Sequence, residues 1–172
     1  ADAATDAAGG RLMSAADVPH DRIGAAIRAA RDGGRTALVA FLTGGFPDRQ
    51  RFHESLAAVA DVADVVEIGV PFTDPMADGV TIQRASHAAL AAGFTLASLL
   101  DELAVIRPRP RAPLLLMSYL NPLLAYGLER LPEAAAAAGV SGFIIPDLPH
   151  EESAELRLPL DRAALALVQM VT

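Results

Sequence analysis

Three carboxylates surround the point at which an apolar strand passes into a helix, in the segment VVEIGVPFTDPMADGVTIQ (residues 65–83). Glu67 lies inside the strand, and Asp74 and Asp78 follow in the loop. An ionised carboxylate is expensive to bury without a partner. A desolvated glutamate has a raised pKa, which suits proton transfer near neutral pH. Glu67 is therefore a candidate general acid–base; the alternative is a strand-end carboxylate that accepts hydrogen bonds from its neighbours.

The two loop aspartates each have a structural and a chemical interpretation. Asp74 precedes a proline and Asp78 precedes a glycine, and both dipeptides are typical of turns. Either aspartate could also cap the helix that follows. Together with Glu67 they offer three oxygen ligands, the kind of site that Mg²⁺ prefers. A magnesium-dependent enzyme acting on an enolisable substrate is therefore an open alternative.

Polar and aromatic side chains also follow the other predicted strands. Thr43, Tyr119, Asn121 and Asp147 come where strands end, which in parallel α/β folds is the edge that carries the active site. Tyr119 is a candidate to pack on a flat ligand, and Phe41 can be core or pocket wall. Asn121 precedes a proline and is typical of a turn. The four histidines show no zinc-binding spacing, so no metal site other than the carboxylate one is indicated.

Helical and strand-like patterns alternate along the chain. Helices are predicted at residues 21–31, 48–60, 81–93, 95–107, 128–139 and from 150, with Asp48 and Thr95 as N-caps and an interruption at Pro159. Apolar strands are predicted at residues 36–42, 64–70, 112–119, 141–147 and 165–172. Strands that are apolar on both faces and alternate with helices indicate a parallel sheet. No nucleotide-binding glycine motif follows any strand, which weakens the nucleotide-binding alternatives. The gathering of polar residues where strands end favours a (β/α) barrel over an open doubly wound sheet.

The amino-acid composition excludes several classes of function. The 172 residues carry a net charge of −7, and the 14 basic residues are all arginines, clustered only in RPRPR (residues 107–111), so nucleic acid is a poor partner. No cysteine is present, and no apolar run approaches the roughly 20 residues that span a membrane. We expect a cytoplasmic protein with a disordered tail at residues 1–18 and one domain at residues 19–172.

The segment EIGVPFTDPMADG (residues 67–79) closely resembles the signature of the tryptophan synthase alpha subunit family. The flanking segments agree in order: FLTGGFPD, TIQRAS, LLLMSYLNPLLAYG and GFIIPDLPHEES. The resemblance implies a TIM-type (β/α)8 barrel, of which about the first five β/α units are present. It also implies a lyase that cleaves indole-3-glycerol phosphate to indole and glyceraldehyde 3-phosphate in tryptophan biosynthesis, with no metal or organic cofactor of its own.

The resemblance also assigns roles residue by residue. Glu67 matches the family's general acid–base and Asp78 its second catalytic carboxylate, which binds the indole N–H. Residues matching the indole pocket are Phe41, Ile82, Tyr119 and Ile144. The face that meets the beta subunit in an alpha2beta2 complex matches Asp74, Pro75 and Asn121. Pyridoxal phosphate is expected in that partner.

The family's phosphate-binding loops follow strands seven and eight, beyond the five strands predicted here. We therefore expect the chain to be incomplete at its C-terminus. This leaves open a second hypothesis of a different class, in which the chain is an inactive module that only binds the beta subunit.

Overall fold

The computed structural model describes residues 19–170, so the expected tail at residues 1–18 lies outside the described part of the chain. Five strands alternate with seven helices within these residues. The strands are β1 (Val39–Thr43), β2 (Val65–Gly69), β3 (Leu114–Met117), β4 (Val140–Ile144) and β5 (Ala166–Val168). The helices are α1 (Pro19–Asp32), α2 (Arg49–Ala60), α3 (Val80–Ala91), α4 (Leu96–Val105), α5 (Leu120–Tyr126), α6 (Leu131–Ala137) and α7 (Ala154–Arg162), the last preceded by a 3-10 turn, His150–Glu152.

The five strands form one parallel sheet in the order β1-β2-β3-β4-β5. Each strand therefore pairs with the next along the chain, and the order never reverses. A doubly wound sheet has a reversal point, from which its helices cover both faces. Sequential order with right-handed crossovers instead places the crossover helices on one face, as in a (β/α) barrel. The predicted architecture is confirmed: the described residues form four consecutive β/α units and the strand of a fifth.

Two apolar clusters pack against opposite faces of the sheet. The larger lies between the strands and the crossover helices and includes Phe52, Phe94, Leu99, Leu116 and Phe143, each at most 1% exposed. The smaller lies on the concave face and joins residues from α1 and three strands: Ile23, Val65, Leu115 and Ile144. Helix α1 thereby closes the lower part of the concave face, and the upper part, towards the carboxyl ends of the strands, is left for a site.

A bulge in β4 changes which residues face the concave side. Leu114 pairs with Val140, but Leu115 pairs with Gly142, so Ser141 is the extra residue. Val140 and Phe143 consequently both lie in the helix-side core, and Ile144 lies on the concave face. The Ser141 hydroxyl is fully buried and has no hydrogen-bond partner among residues 19–170. The bulge lies at the amino end of β4 and sets the facing of the rest of the strand.

The predicted helix caps are confirmed. The Asp48 carboxylate accepts a hydrogen bond from the Arg51 backbone N–H at 2.9 Å at the start of α2. Thr95 and Ser98 form a reciprocal capping box at the start of α4. Such caps satisfy backbone donors that the helix itself leaves unpaired.

Two local predictions were wrong. Asn121 was assigned to a turn, but it lies in the first turn of α5, where Pro122 is tolerated because the N–H that proline lacks has no partner inside the helix there. Pro159 was expected to interrupt the last helix, but α7 continues through it to Arg162. In so short a helix, Pro159 removes just the hydrogen bond to the Glu155 carbonyl.

The basic run RPRPR lies in the connection between α4 and β3. The Arg107 guanidinium donates to the Ala104 carbonyl at 3.1 Å, and that of Arg109 donates to the Ala137 carbonyl at 3.1 Å. Both carbonyls belong to the last turns of helices, where positive charge is favourable. These two arginines therefore hold helix ends.

Within residues 19–170, no single helix is long and apolar enough to cross a membrane. Taken together, helices α3 and α4 have the length and apolar composition of a membrane span, but their axes are bent by 82° relative to one another. Both also bury residues in the core, among them Ala89 and Leu99. The cytoplasmic location stays a prediction.

An ion pair holds the amino ends of β1 and β2 together. The Asp64 carboxylate accepts from the Arg35 guanidinium at 2.7 Å and from the Leu38 backbone N–H at 2.8 Å. These bonds, that from Arg35 foremost, lower the pKa of Asp64 to about 2 from its ordinary value of 3.8. A lowered carboxyl pKa stabilises the fold above the ordinary value, and the contribution is lost as pH falls towards 2.

We therefore expect Asp64→Asn to lower the thermal unfolding midpoint at neutral pH. The difference from wild type should shrink as pH falls from about 4 to about 2, because wild type then loses the same interaction. Circular dichroism melts across this range measure it. Asp32→Asn is the matched control, because Asp32 pairs with Arg31 on the open surface, where such pairs contribute little. A constant difference down to about pH 2 would contradict the assignment.

Candidate active site

A small cleft of about 20 Å³ lies at the carboxyl ends of β1, β2 and β3. Its walls are contributed by three strands and by the start of α3: Phe41, Gly69, Val70, Asp78, Ile82, Ser86, Met117, Ser118, Tyr119 and Pro146. Four residues predicted from the sequence, Phe41, Asp78, Ile82 and Tyr119, thus lie around one space. Its floor is the concave face below it.

Glu67 lies in the middle of β2 and is half-buried. It is in register with Phe41 of β1 and Leu115 of β3. Because side chains alternate along a strand, it shares the concave face with Val65 below and Gly69 above. Among residues 19–170 its carboxylate has no hydrogen-bond or ion-pair partner, and burial raises its pKa. Within that part of the chain, the hydrogen bonds that the alternative structural role of Glu67 requires are therefore absent.

Gly69 leaves room for an aromatic wall. A Cβ at residue 69 would lie 2.5 Å from the ring of Phe41, so any side chain there would displace the ring. Phe41 is 36% exposed, which is high for an aromatic residue inside a sheet. Phe41 is thus a pocket wall, and Gly69 is the reason that its ring can lean over β2.

Asp78 closes the loop that joins β2 to α3. A turn brings its backbone N–H to the Pro75 carbonyl at 3.3 Å, and its side chain lines the cleft. Burial raises the pKa of Asp78. The cleft therefore presents one carboxylate from the loop and stands above a second, Glu67, in the strand.

Tyr119 connects this loop to the end of β3. Its hydroxyl oxygen accepts a hydrogen bond from the Ala77 backbone N–H at 2.7 Å, and its ring lies 5.3 Å from that of Phe72. Burial, and then the nearby charges of Asp78 and Asp147, raise the pKa of Tyr119. The phenol is therefore a neutral hydrogen-bonding group at physiological pH.

Asp74 and Asn121 lie outside the cleft, on a groove at its mouth that they share with Phe72, Met76, Ala77, Tyr119, Pro146 and Asp147. Pro75 is buried beside them, and Met76 is 94% exposed. The Asp74 carboxylate accepts a hydrogen bond from the Thr73 hydroxyl at 2.6 Å. Asp74 thus faces a different surface from the one that Asp78 faces.

The magnesium alternative was wrong in its geometry. In the part of the chain that the structure describes, no three acidic or histidine side chains come close enough together to hold a metal ion. Glu67, Asp74 and Asp78 are adjacent in sequence but do not converge.

Ile144 packs in the concave cluster with Ile23, Val65 and Leu115, next to Met117, which does line the cleft. The predicted role of Ile144 in substrate binding stays a prediction.

The sequence did not indicate Gly69, Met117 and Ser118 as wall residues, or Gln83 as a residue that contacts the loop. It indicated Asp147 at a strand end, but not that its carboxylate accepts from the Leu120 backbone N–H at 2.9 Å and so caps α5.

The arrangement suits proton transfer to and from a flat apolar ligand. A desolvated carboxylate with no partner can exchange a proton near neutral pH. A second carboxylate on the wall can accept a hydrogen bond from a ring N–H or stabilise positive charge on the ring. Phe41 and Ile82 supply apolar contact around such a ring.

The chain is similar to known proteins over most of its length. The sequence model of the family described as tryptophan synthase alpha chain matches residues 27–172. The tryptophan synthase alpha chain of Desulfovibrio desulfuricans is 51% identical over 146 residues, which are 84% of this chain and 57% of that protein. That of Solidesulfovibrio magneticus is 53% identical over 139 residues, which are 80% of this chain and 54% of that protein.

Solved structures agree. Tryptophan synthase subunit alpha from Legionella pneumophila superposes with a TM-score of 0.78 at 33% identity, over 85% of this chain and 56% of that one. A chain of Mycobacterium tuberculosis tryptophan synthase in its aminoacrylate-bound form gives 0.79 at 33% identity, over 85% and 60%. The chain thus spans a little over half the length of the curated relatives it matches. It belongs to the tryptophan synthase alpha chain family.

Proposed function

We propose that this chain carries the acid–base centre of the tryptophan synthase alpha reaction, the cleavage of indole-3-glycerol phosphate to indole and glyceraldehyde 3-phosphate. The observation that carries the proposal is the unpartnered, half-buried carboxylate of Glu67 beneath a cleft walled by Phe41, Asp78 and Tyr119. Membership in the family supports the same lyase chemistry. Because the chain spans part of its relatives' length, the activity is proposed for this chain completed by the remaining β/α units.

In the proposed mechanism Glu67 acts twice. Protonation of the indole ring at C3 makes the ring cationic. Loss of the proton from the glycerol hydroxyl on the carbon attached to C3 then forms a carbonyl as the carbon–carbon bond breaks. The bonding electrons return to the ring, which leaves as neutral indole. Glu67 gives the first proton and takes the second, so proton and charge balance over the cycle. A raised pKa favours both roles, because one carboxyl must be a proton donor and acceptor in turn.

Asp78 is proposed to accept the hydrogen bond of the indole N–H. When C3 is protonated, the positive charge spreads to the ring nitrogen, so a carboxylate there binds the cationic state more tightly than neutral substrate. An interaction that strengthens in the transition state raises kcat. Its partial burial increases this effect, since charges interact more strongly away from water.

The steps need no metal or organic cofactor from this chain, because every proton is assigned to a carboxylate. We propose the groove of Asp74, Met76 and Asn121 as the docking face for a beta subunit, with pyridoxal phosphate confined to that partner. The exposed Met76 side chain, in a groove that also contains polar Asp74, Asn121 and Asp147, supports this, because apolar surface with polar groups beside it is typical of an interface.

The catalytic proposal predicts that Glu67→Gln abolishes indole release. Glutamine is of equal size but cannot carry a proton between the two sites, so kcat should fall by at least about a thousandfold. The assay uses a fusion protein, here named the extended chain. It consists of this chain followed by the C-terminal part of the Desulfovibrio desulfuricans relative, starting where the match between the two sequences ends. Gln50→Met, at an exposed position of α2, is the control and should keep wild-type turnover. Retained turnover in Glu67→Gln would refute the assignment.

The pH profile should show the raised pKa of Glu67. Glu67 must be protonated in free enzyme to give C3 its proton, so kcat/KM should fall as pH rises through that pKa, which lies above the ordinary 4.5. Steady-state indole release in the extended chain from about pH 5 to about pH 9 measures this limb. A basic limb at or below the ordinary glutamate value would contradict a desolvated acid.

The docking face predicts that Asn121→Ala weakens binding of a tryptophan synthase beta subunit by about tenfold, the cost of roughly one interface hydrogen bond and its contacts. Titration calorimetry with the extended chain measures the Kd, and Gln50→Met should leave it unchanged. The same titration with the chain of 172 residues, beside an indole-release assay, separates catalysis from the alternative of a non-catalytic binding module. Equal Kd values for Asn121→Ala and wild type would place the partner elsewhere.

A further inference from the structure

We propose that Gln83 is a positioning residue that holds Asp78 at the cleft by clamping the backbone of the loop before α3. The inference rests on the proposed function, because it assigns Gln83 its purpose through Asp78. Gln83 does not line the cleft itself. It acts through the carbonyl oxygens of Pro75 and Asp78.

The side chain of Gln83 reaches back from the fourth residue of α3 to the loop. Its amide nitrogen lies 3.0 Å from the Asp78 carbonyl oxygen and 3.4 Å from that of Pro75. Both neighbours are acceptors, so the NH₂ end of the amide must face them. The group is partly buried, where a hydrogen bond to a carbonyl is worth more than on the open surface.

Tyr119 holds the same loop from the other side. Its hydroxyl accepts the N–H of Ala77 at 2.7 Å, and the Asp78 N–H donates to the Pro75 carbonyl at 3.3 Å. The carbonyls of the turn therefore bind Gln83, and the Ala77 N–H binds Tyr119. The Asp78 backbone is fixed at both its N–H and its carbonyl.

The loop has little else to hold it where it enters the helix. Gly79 is the N-cap of α3 and has no side chain to accept a hydrogen bond there; apart from its neighbours in the chain, no heavy atom of the described residues lies within 4 Å of where its Cβ would be. Asp74, Met76 and Ala77 are all exposed. Without Gln83, Asp78 would be fixed by Tyr119 and one long backbone bond to Pro75.

The position of the Asp78 carboxylate matters most when the ring is charged. A shift of about 1 Å in a catalytic group can cost about a hundredfold in rate. Binding of neutral substrate depends on the apolar walls and is less sensitive to that shift. Losing the clamp should therefore lower kcat and change KM little.

The test compares two variants. Gln83→Met keeps the length of the side chain and removes the donor, and we expect kcat in the extended chain to fall about ten- to a hundredfold with KM within about threefold. Gln83→Glu turns an ionised carboxylate towards two carbonyl oxygens and cannot donate until it is protonated. Its activity relative to wild type should therefore rise as pH is lowered from about 8 to about 6, a recovery that loss of folded protein would not produce.

Hydrogen exchange on the chain of 172 residues gives a readout that needs no activity. In Gln83→Met, the Ala77 and Asp78 amides should exchange about three- to tenfold faster, as expected for loss of one hydrogen bond. Gln50→Met is the matched control, because Gln50 bonds one exposed carboxylate, that of Glu54.

The proposal would be overturned if Gln83→Met had the kcat and the amide exchange rates of wild type. It would also be overturned if the activity of Gln83→Glu did not recover relative to wild type at low pH. If wild type releases no indole but exchange in Gln83→Met still rises, the proposed function fails and the clamp stands. If wild type is active and both variants match it, the clamp fails and the proposed function stands.

Discussion

The cost of burying an ionisable carboxylate in a sheet governs this structure. Glu67 is surrounded on its own face by Val65, Gly69 and the residues of β1 and β3, and in the described part of the chain nothing neutralises it. Such a group destabilises the folded state when ionised. It is tolerated because β2 is paired on both sides and packed from behind by the helix-side core. The same rigidity keeps the acid–base group at a fixed depth below the cleft.

Around this centre, stability and chemistry are divided between the two ends of the sheet. At the amino ends, Arg35, Leu38 and Asp64 satisfy one another and keep the edge strand β1 in register. At the carboxyl ends, Glu67 and Asp78 are left with raised pKa values. In the described residues, the Asp64 carboxylate has hydrogen-bond partners at the amino ends, and the carboxylates of Glu67 and Asp78 have none at the carboxyl ends. Perturbed carboxylates without partners cluster at functional sites, and this contrast separates them from structural ion pairs.

Much of the fold could be predicted from the sequence because its signals are local. Asp48 and Thr95 precede helical periodicity and act as N-caps, and the apolar runs became strands in the expected order. The predictions failed where a long-range contact decided the outcome. Helix α5 begins at Leu120 because Asp147, 27 residues later, accepts its first N–H, and no local pattern indicates that bond. The bulge at Ser141 likewise follows from pairing with β3.

The site shows the same limit. Glu67 and Asp78 could be found as candidates from residue type and position, and the resemblance supplied their roles. The separation of Asp74 from Asp78 could not be found this way, because both follow the same strand and both are typical of turns. That separation depends on the path of the three intervening residues, and Tyr119 and Gln83 hold the end of that path from opposite sides. Tyr119 lies 42 residues from the Ala77 N–H that it binds, but Gln83 is one helical turn beyond the loop. A polar donor at the fourth position of a helix, after a turn whose carbonyl oxygens can accept from it, is thus a local signal for a side chain that positions a catalytic loop.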